Sequence, residues 1–435
     1  MKYYSTNHSA DMASLEYAVV KGLAPDKGLF MPEKINMISP DVIANMKNLS
    51  FSEIACLVAE NLFGEDIDKD VLDKIVCDTL SFDVPAVSVK DDIYSLELFH
   101  GPTLAFKDVG ARFMARLSGY FTRKEGMDRV NVLAATSGDT GSAVANGFLD
   151  VPGVHVYVLY PKGKVSPIQE CQFTTLGKNI TALEIDGTFD DCQALVKSAF
   201  LDEELNSAMT LTSANSINVA RLLPQSFYYF YAYAQLDKLG KADNLVFCVP
   251  SGNFGNITAG LFAQRMGLPV KRFIAANNRN DVFLEYLNTG KYNPRPSVAT
   301  IANAMDVGAP SNFARILDLF GDNAWENIRK QISVFRYTDE QIADTMRRVY
   351  KETGYILDPH GACGFAALEQ SIIESGETGV FLETAHPAKF KDTVDGILGI
   401  DIEIPEKLRA FMRGEKKSIE LPKDFDNFKA FLLGE

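Results

Sequence analysis

The residues best equipped for covalent chemistry lie in the stretch Glu97-Leu98-Phe99-His100-Gly101-Pro102-Thr103-Leu104-Ala105-Phe106-Lys107-Asp108. The run from Ile93 to Leu98 alternates apolar and polar residues and predicts a strand. Gly101-Pro102 marks a turn. Beyond it Val109, Phe113, Met114 and Leu117 recur at near-helical spacing, so Lys107 opens a helix. A cation in a first turn meets the positive end of the helix dipole, and Phe106 beside it limits the water around the amine. Both effects ease loss of the ammonium proton, and a neutral lysine amine is a nucleophile for aldehydes. Any single lysine beside a turn reads more simply as a surface residue, so the weight falls on the motifs further along.

Three of these follow strands. Leu245 to Pro250 runs into Ser251-Gly252-Asn253-Phe254-Gly255-Asn256 and then a helical segment, Ile257 to Met266. Glycines let the backbone approach a ligand closely, and the N–H groups of a first helical turn point at an anion. The motif is neither GxxxxGK[ST] nor GxGxxG, so a single phosphate suits it better than a nucleotide; a tight turn packed on its glycines is the other reading. Thr136-Ser137-Gly138-Asp139-Thr140-Gly141-Ser142 offers hydroxyls and N–H groups at a helix start, which suit a carboxylate, and Asp139 reads equally as a plain N-cap. Asn215-Ser216-Ile217-Asn218-Val219-Ala220-Arg221 places Asn215 and Ser216 at a helix start, with Asn218 and Arg221 on one face. Arginine gives paired planar donors matched to a phosphate, although such a residue is often in a structural salt bridge. Leu382-Glu383-Thr384-Ala385-His386-Pro387 puts a hydroxyl at a strand end, where open α/β sheets bind ligands. A reactive amine with a single-phosphate cradle is what pyridoxal phosphate requires.

Those residues need a scaffold of strands leading into helices. From about residue 90 the pattern supplies it, with strands at Val130 to Ala135, Val154 to Tyr160, Ile180 to Ile185 and Met209 to Thr212. Helices begin near Thr140, Ser166 and Asp190. One long helix, apolar all round at 227–233, is predicted from Ser216 to Leu239. A second block has strands at Leu245 to Pro250, Val270 to Ala276, near Tyr355 to Leu357, and Gly379 to Thr384. Such alternation predicts an α/β fold of two open, mostly parallel twisted sheets flanked by helices, preceded by a small N-terminal helical domain with helices at Phe51 to Phe63 and Lys69 to Leu80. The expected divisions are 1–88, 89–225 and 226–435, with 89–108 alternatively part of the larger domain. Segment 290–311 is a loop, a candidate for the active site, and the tail after 404 carries no motif.

Composition narrows the function. At 435 residues two or three domains are expected, and 46% apolar with 23% charged residues is ordinary for a globular protein. A net charge of −14 opposes nucleic acid and anionic lipid. The six cysteines lack paired spacing and read as reduced thiols, and the five histidines lack metal-ligand spacing. No apolar run spans a membrane and no signal peptide opens the chain, so a cytoplasmic location is expected, without metal, membrane or nucleic-acid partner.

In order along the chain, GLAPDKGLFMPE, ELFHGPTLAFKD, TSGDTGSA, NSINVAR, SGNFGN and ETAHPAKF resemble the threonine synthases of the second pyridoxal-phosphate fold group. One departure is Lys27, where relatives usually carry a second glycine. The resemblance implies pyridoxal 5'-phosphate as cofactor, with Lys107 as the Schiff-base lysine and Gly252, Asn253, Phe254, Gly255 and Asn256 around the cofactor phosphate. It puts Thr384 at the pyridine nitrogen and Asp139 near the phenolic oxygen. Thr136, Ser137, Gly138 and Thr140 would hold the substrate carboxylate, and Asn215, Ser216 and Arg221 the substrate phosphate. The implied substrate is O-phospho-L-homoserine, converted with water to L-threonine and phosphate by β,γ-elimination and β-hydration, with Lys107 as the proton-transferring base. An O-phosphothreonine phospho-lyase would use the same sites. A serine/threonine dehydratase would not need Arg221, and a non-catalytic binding protein would not need Lys107. A monomer or small homo-oligomer is the expected state.

Overall fold

The computed structural model describes residues 1–126, 129–371 and 376–434. Contacts gather them into two units, one of Met1, 32–106 and 222–403, the other of 2–31, 107–221 and 404–435. This grouping is discontinuous, unlike the three consecutive segments expected, and it joins 89–106 to the larger block because Ile93–Glu97 is a strand of that block's sheet.

The sheet of the first unit runs in the order Ile332–Arg336, Arg272–Asn277, Leu245–Pro250, Thr378–Glu383, Ile93–Glu97, Ala86–Lys90. All neighbours are parallel except the last pair. Its two central strands are buried at every position, as a sheet covered on both faces demands. Helix Phe51–Phe63 starts with a Ser50/Glu53 capping box, and its Phe51 stacks on Tyr231. The other unit has five parallel strands in the order Ile419–Pro422, Ile180–Asp186, Val154–Pro161, Val130–Ala135, Thr210–Ser213. One face packs Leu133, Leu159, Leu183 and Leu195 with Phe428 and Leu432 of the C-terminal helix Phe425–Leu433.

Some elements differ from expectation. Ser216 to Leu239 is not one helix: Val219–Leu222 is followed by a 3-10 turn at Leu223–Ser226 and then Phe227–Lys238. Pro224 lacks the N–H an α-helix needs and favours that tighter turn. Tyr355 to Leu357 is not a strand, for side chains anchor it: Tyr355 Oη donates to Glu97 at 2.8 Å, and the following Asp358 N–H donates to Glu383 Oε1 at 2.7 Å. The N-terminal region adds a small sheet of Lys2–Ser5, Ala13–Ser14 and Phe30–Pro32 to its helices. The tail, without a motif, still supplies an edge strand and two helices, Glu406–Met412 and Phe425–Leu433. All six cysteines are free thiols. Among the described residues no helix is long and apolar enough to cross a membrane, and no cluster of ligating side chains could hold a metal ion.

Candidate active site

In the first unit, the segment leading to Lys107 is laced to the segment leaving strand Thr378–Glu383. Phe106 N–H donates to the Thr384 carbonyl at 2.9 Å, His386 N–H to Leu104 at 3.1 Å, and Ala105 bridges Ala385. The buried Lys389 ammonium donates to the Thr103 carbonyl at 2.8 Å. Burial, then His100, lowers the pKa of His386 to about 4, so its ring is neutral at pH 7. Lys107 itself is half-buried at the head of helix Lys107–Lys124, as the sequence predicts.

The neighbouring parallel strand Leu245–Pro250 delivers the glycine loop at the same end of the sheet. Phe254, at φ 60°, turns the chain into helix Gly255–Arg265. A Cβ on Gly252 would lie 2.7 Å from Met305 Cα and 3.1 Å from the Ala304 carbonyl oxygen. Loop 290–311 therefore backs this cradle. His360 accepts the Ala304 N–H at 3.1 Å. Asn253 is clamped by Ser311 N–H on Oδ1 at 2.6 Å and Asn312 Nδ2 on its carbonyl at 3.1 Å, and Arg315 Nη1 donates to Asn312 Oδ1 at 2.7 Å. Burial lowers the Arg315 pKa to about 9, which keeps it charged at neutral pH.

The Asn256 amide is fixed by two hydroxyls: Tyr228 Oη and Tyr229 Oη donate to its Oδ1 at 2.7 and 2.8 Å. Burial pushes both phenols well up, so they stay protonated donors. Asn256 Nδ2 is buried with no hydrogen-bond partner among the described residues. An unfilled donor, a glycine that tolerates no Cβ and the N–H groups of a helix start fit one phosphate.

In the second unit, neighbouring parallel strands Val130–Ala135 and Thr210–Ser213 deliver the other two motifs. Thr136 Oγ1 accepts the N–H groups of Gly138 and Gly141 at 2.9 and 2.8 Å and so shapes its turn. Helix Asp139–Phe148 is capped by Gly138 at φ 143°, which settles that Asp139 is no N-cap. Its carboxylate Oδ1 instead accepts Gln169 Nε2 at 2.9 Å. Ser137 and Thr140 are half-buried.

Asn215 and Ser216 lie in a turn ahead of the helix, not at its first residue. Asn215 Nδ2 reaches the Ala135 carbonyl at 3.5 Å, and its buried Oδ1 has no hydrogen-bond partner among the described residues. The open atom is thus an acceptor, and an amide flip would exchange it for a donor. Asn218 does not share a ligand face with Arg221. It ties the turn, donating to Val19 and Ser213 carbonyls at 2.9 and 3.2 Å and accepting Ala220 N–H at 3.0 Å. Arg221 is 3% exposed. Burial lowers its pKa to about 10, with Asp108 opposing, so it stays cationic. Gly110, one turn after Lys107, lies so close that its Cβ would sit 2.5 Å from the Arg221 carbonyl oxygen. The helix of the lysine and the backbone of the arginine therefore touch.

Residues 78–384 match the family model described as pyridoxal-phosphate dependent enzyme, and residues 2–80 and 361–432 match models of the threonine synthase N terminus and C-terminal part. A threonine synthase of Haemophilus influenzae is 44% identical over 433 residues, covering 100% of both chains. The chain belongs to the threonine synthase family. The crystal structure of threonine synthase from Escherichia coli superposes with a TM-score of 0.93 at 44% identity, covering 100% of each chain. That of the PLP-bound threonine synthase from Brucella melitensis gives 0.92 at 35% identity, covering 99% of this chain and 98% of the other. Threonine synthases are pyridoxal-phosphate dependent lyases, so the fold, the cofactor and the reaction class expected from the sequence stand.

The sequence reading missed Gln169, the Asn312–Arg315 clamp and the use of Tyr228 and Tyr229. The two tyrosines carried only a burial signal. Nothing in the type or spacing of Gln169 points to Asp139, thirty residues away.

Proposed function

We propose that the chain converts O-phospho-L-homoserine and water to L-threonine and inorganic phosphate. The observation that carries this choice is Arg221, a buried cation beside the turn that follows Lys107, present in addition to the 252–256 cradle. Two anion sites suit a phosphorylated substrate on a phosphorylated cofactor; a serine or threonine dehydratase needs one. Bound pyridoxal phosphate supplies an aldehyde for amines and a sink for electrons. Gly252 to Asn256 would hold its phosphate, Thr384 would meet its ring nitrogen, Asp139 its phenolic oxygen, and Lys107 Nζ its aldehyde. Thr136, Ser137, Gly138 and Thr140 orient the substrate carboxylate, and Asn215, Ser216 and Arg221 its phosphate.

Lys107 Nζ, as a neutral amine, would take the α-proton and, having handed that proton on, a β-proton, both within reach of one group because the two carbons are adjacent. The Arg221 guanidinium binds more strongly as charge builds on the departing oxygen. A cytoplasmic, monomeric or small homo-oligomeric enzyme is part of this reading, and the free thiols support a reducing compartment.

The test is phosphate and product release from phosphohomoserine, phosphothreonine, serine and threonine, with and without added cofactor. Phosphohomoserine should be the substrate used best. Arg221→Leu should lose ~2–5 kcal/mol of transition-state binding to it, the scale of breaking a buried charged contact, while borohydride still fixes cofactor to Lys107. Phosphohomoserine turnover by Arg221→Leu at the parent rate would overturn the phosphate site. Preference for phosphothreonine would favour the rival lyase.

A further inference from the structure

Gln169 is 1% exposed, in the first turn of helix Pro167–Thr174. Its amide is held from three sides. Nε2 donates to Asp139 Oδ1 at 2.9 Å, and Oε1 accepts the Ser166 hydroxyl at 3.1 Å. The flat of the amide lies against Gly138, where a Cβ would come within 2.6 Å of Cδ and 2.7 Å of both Nε2 and Oε1. The backbone carbonyl of Gln169 accepts Ser142 Oγ at 3.2 Å, tying its helix to the one that Asp139 begins. A side chain this confined has one place to put its N–H.

We infer that Gln169 is a positioning residue for the Asp139 carboxyl, fixing Oδ1 as an acceptor and turning Oδ2 toward the phenolic oxygen of the cofactor. The inference rests on the proposed placement of Asp139 at that oxygen. Two negative oxygens side by side hold one proton between them. A donor on Oδ1 stabilises the anionic form of the pair and so lowers the pH at which that proton leaves. A carboxylate without the donor would also lose one of its anchors, and the alignment of the pair would loosen. Purely structural service, joining two helices, is the competing explanation, and it predicts lower stability with no change in the cofactor's titration.

The experiment is a pH titration of the visible absorbance of the reconstituted holoenzyme, with thermal unfolding followed in parallel, for the parent, Gln169→Leu, Gln169→Glu and Asp139→Asn. A hydrogen bond to a charged group is worth roughly one to two pH units of titration midpoint. The midpoint should therefore rise by about one unit or more in Gln169→Leu. It should rise further in Gln169→Glu, which keeps the shape of the side chain and adds a like charge, so this variant serves if the leucine does not fold. The other ionisable groups on elements packed against the Asp139 helix are unchanged in every variant. They are Lys107, Asp108, Arg112, Arg116, Tyr120, Arg123 and Lys124 on helix Lys107–Lys124, Glu170 and Cys171 beside Gln169, and His155, Tyr157 and Tyr160 on strand Val154–Pro161. If Asp139→Asn moves the midpoint and neither Gln169 variant does, Gln169 is structural only. If Asp139→Asn leaves the midpoint unmoved, the placement of Asp139 at the cofactor is wrong and the inference falls with it.

Discussion

Replacing Gly110 by alanine tests whether the helix that begins at Lys107 sets the position of Arg221. The added Cβ would lie 2.5 Å from the Arg221 carbonyl oxygen, 3.4 Å from its carbon and 3.6 Å from Cα. Real contacts of this kind do not fall below 3.0 Å, so helix and strap must part by about half an ångström or more. Alanine in a helix interior gains about 0.5–1 kcal/mol over glycine, whereas overpacking costs about 1–3 kcal/mol. The clash wins, and a net destabilisation of about 1–2 kcal/mol is expected in chemical denaturation. Since a misplacement of about 1 Å can lower rate by about a hundredfold, half of that should lower kcat/KM for phosphohomoserine about tenfold. Phosphate release and guanidinium unfolding measured on one preparation decide the matter. A variant as stable as the parent refutes the packing argument, and one that is destabilised but keeps the parent kcat/KM refutes the coupling of Gly110 to the phosphate site.

Burial, reinforced by Asp358 and Glu97, raises the pKa of Glu383 well above its ordinary 4.5, so the folded chain keeps a proton that the unfolded chain gives up. The stability linked to that proton is whole below about pH 4.5 and is lost as pH rises toward the folded value, at up to ~1.4 kcal/mol per pH unit. Glu383→Gln should flatten this slope in unfolding free energies taken from pH 5 to 8; a parental slope would show Glu383 to be ionised in the fold. Lys27 is exposed at φ 68°, a conformation that costs an L-residue about 1–2 kcal/mol, against about 0.5–1 kcal/mol of extra entropy lost by glycine. Lys27→Gly should stabilise the protein by about 0.5 kcal/mol in guanidinium unfolding, and a destabilised variant would show that the lysine side chain supports its turn.

The motifs were legible because each is local. A strand, a glycine-bearing turn and a helix start are written in ten or twelve consecutive residues, and Lys107 heads its helix where the periodicity begins. What failed needed distant partners. Ile332–Arg336 is an edge strand with only Ile332 buried, so its apolar pattern is faint. Tyr355 to Leu357 has strand composition, but its anchors, Glu97 and Glu383, come from elsewhere in the chain. Asp139 reads as cap or ligand from its neighbours in sequence alone, because neither the capping by Gly138 nor the contact of Gln169 with its carboxylate is written locally. The single helix expected from Ser216 to Leu239 breaks at a residue visible in the sequence, Pro224.

The order of strands in the second unit bears on how the chain is made. Its sheet takes Ile180–Asp186 from the middle of the chain, yet the neighbour of that strand, Ile419–Pro422, is synthesised much later. Until then a nascent chain carries an open row of N–H and carbonyl groups, and the apolar surface meant for Phe428 and Leu432 stays wet. Both are invitations to associate with another copy or a chaperone, so a product ending before the tail would carry intact motifs on a sheet with an exposed, adhesive border.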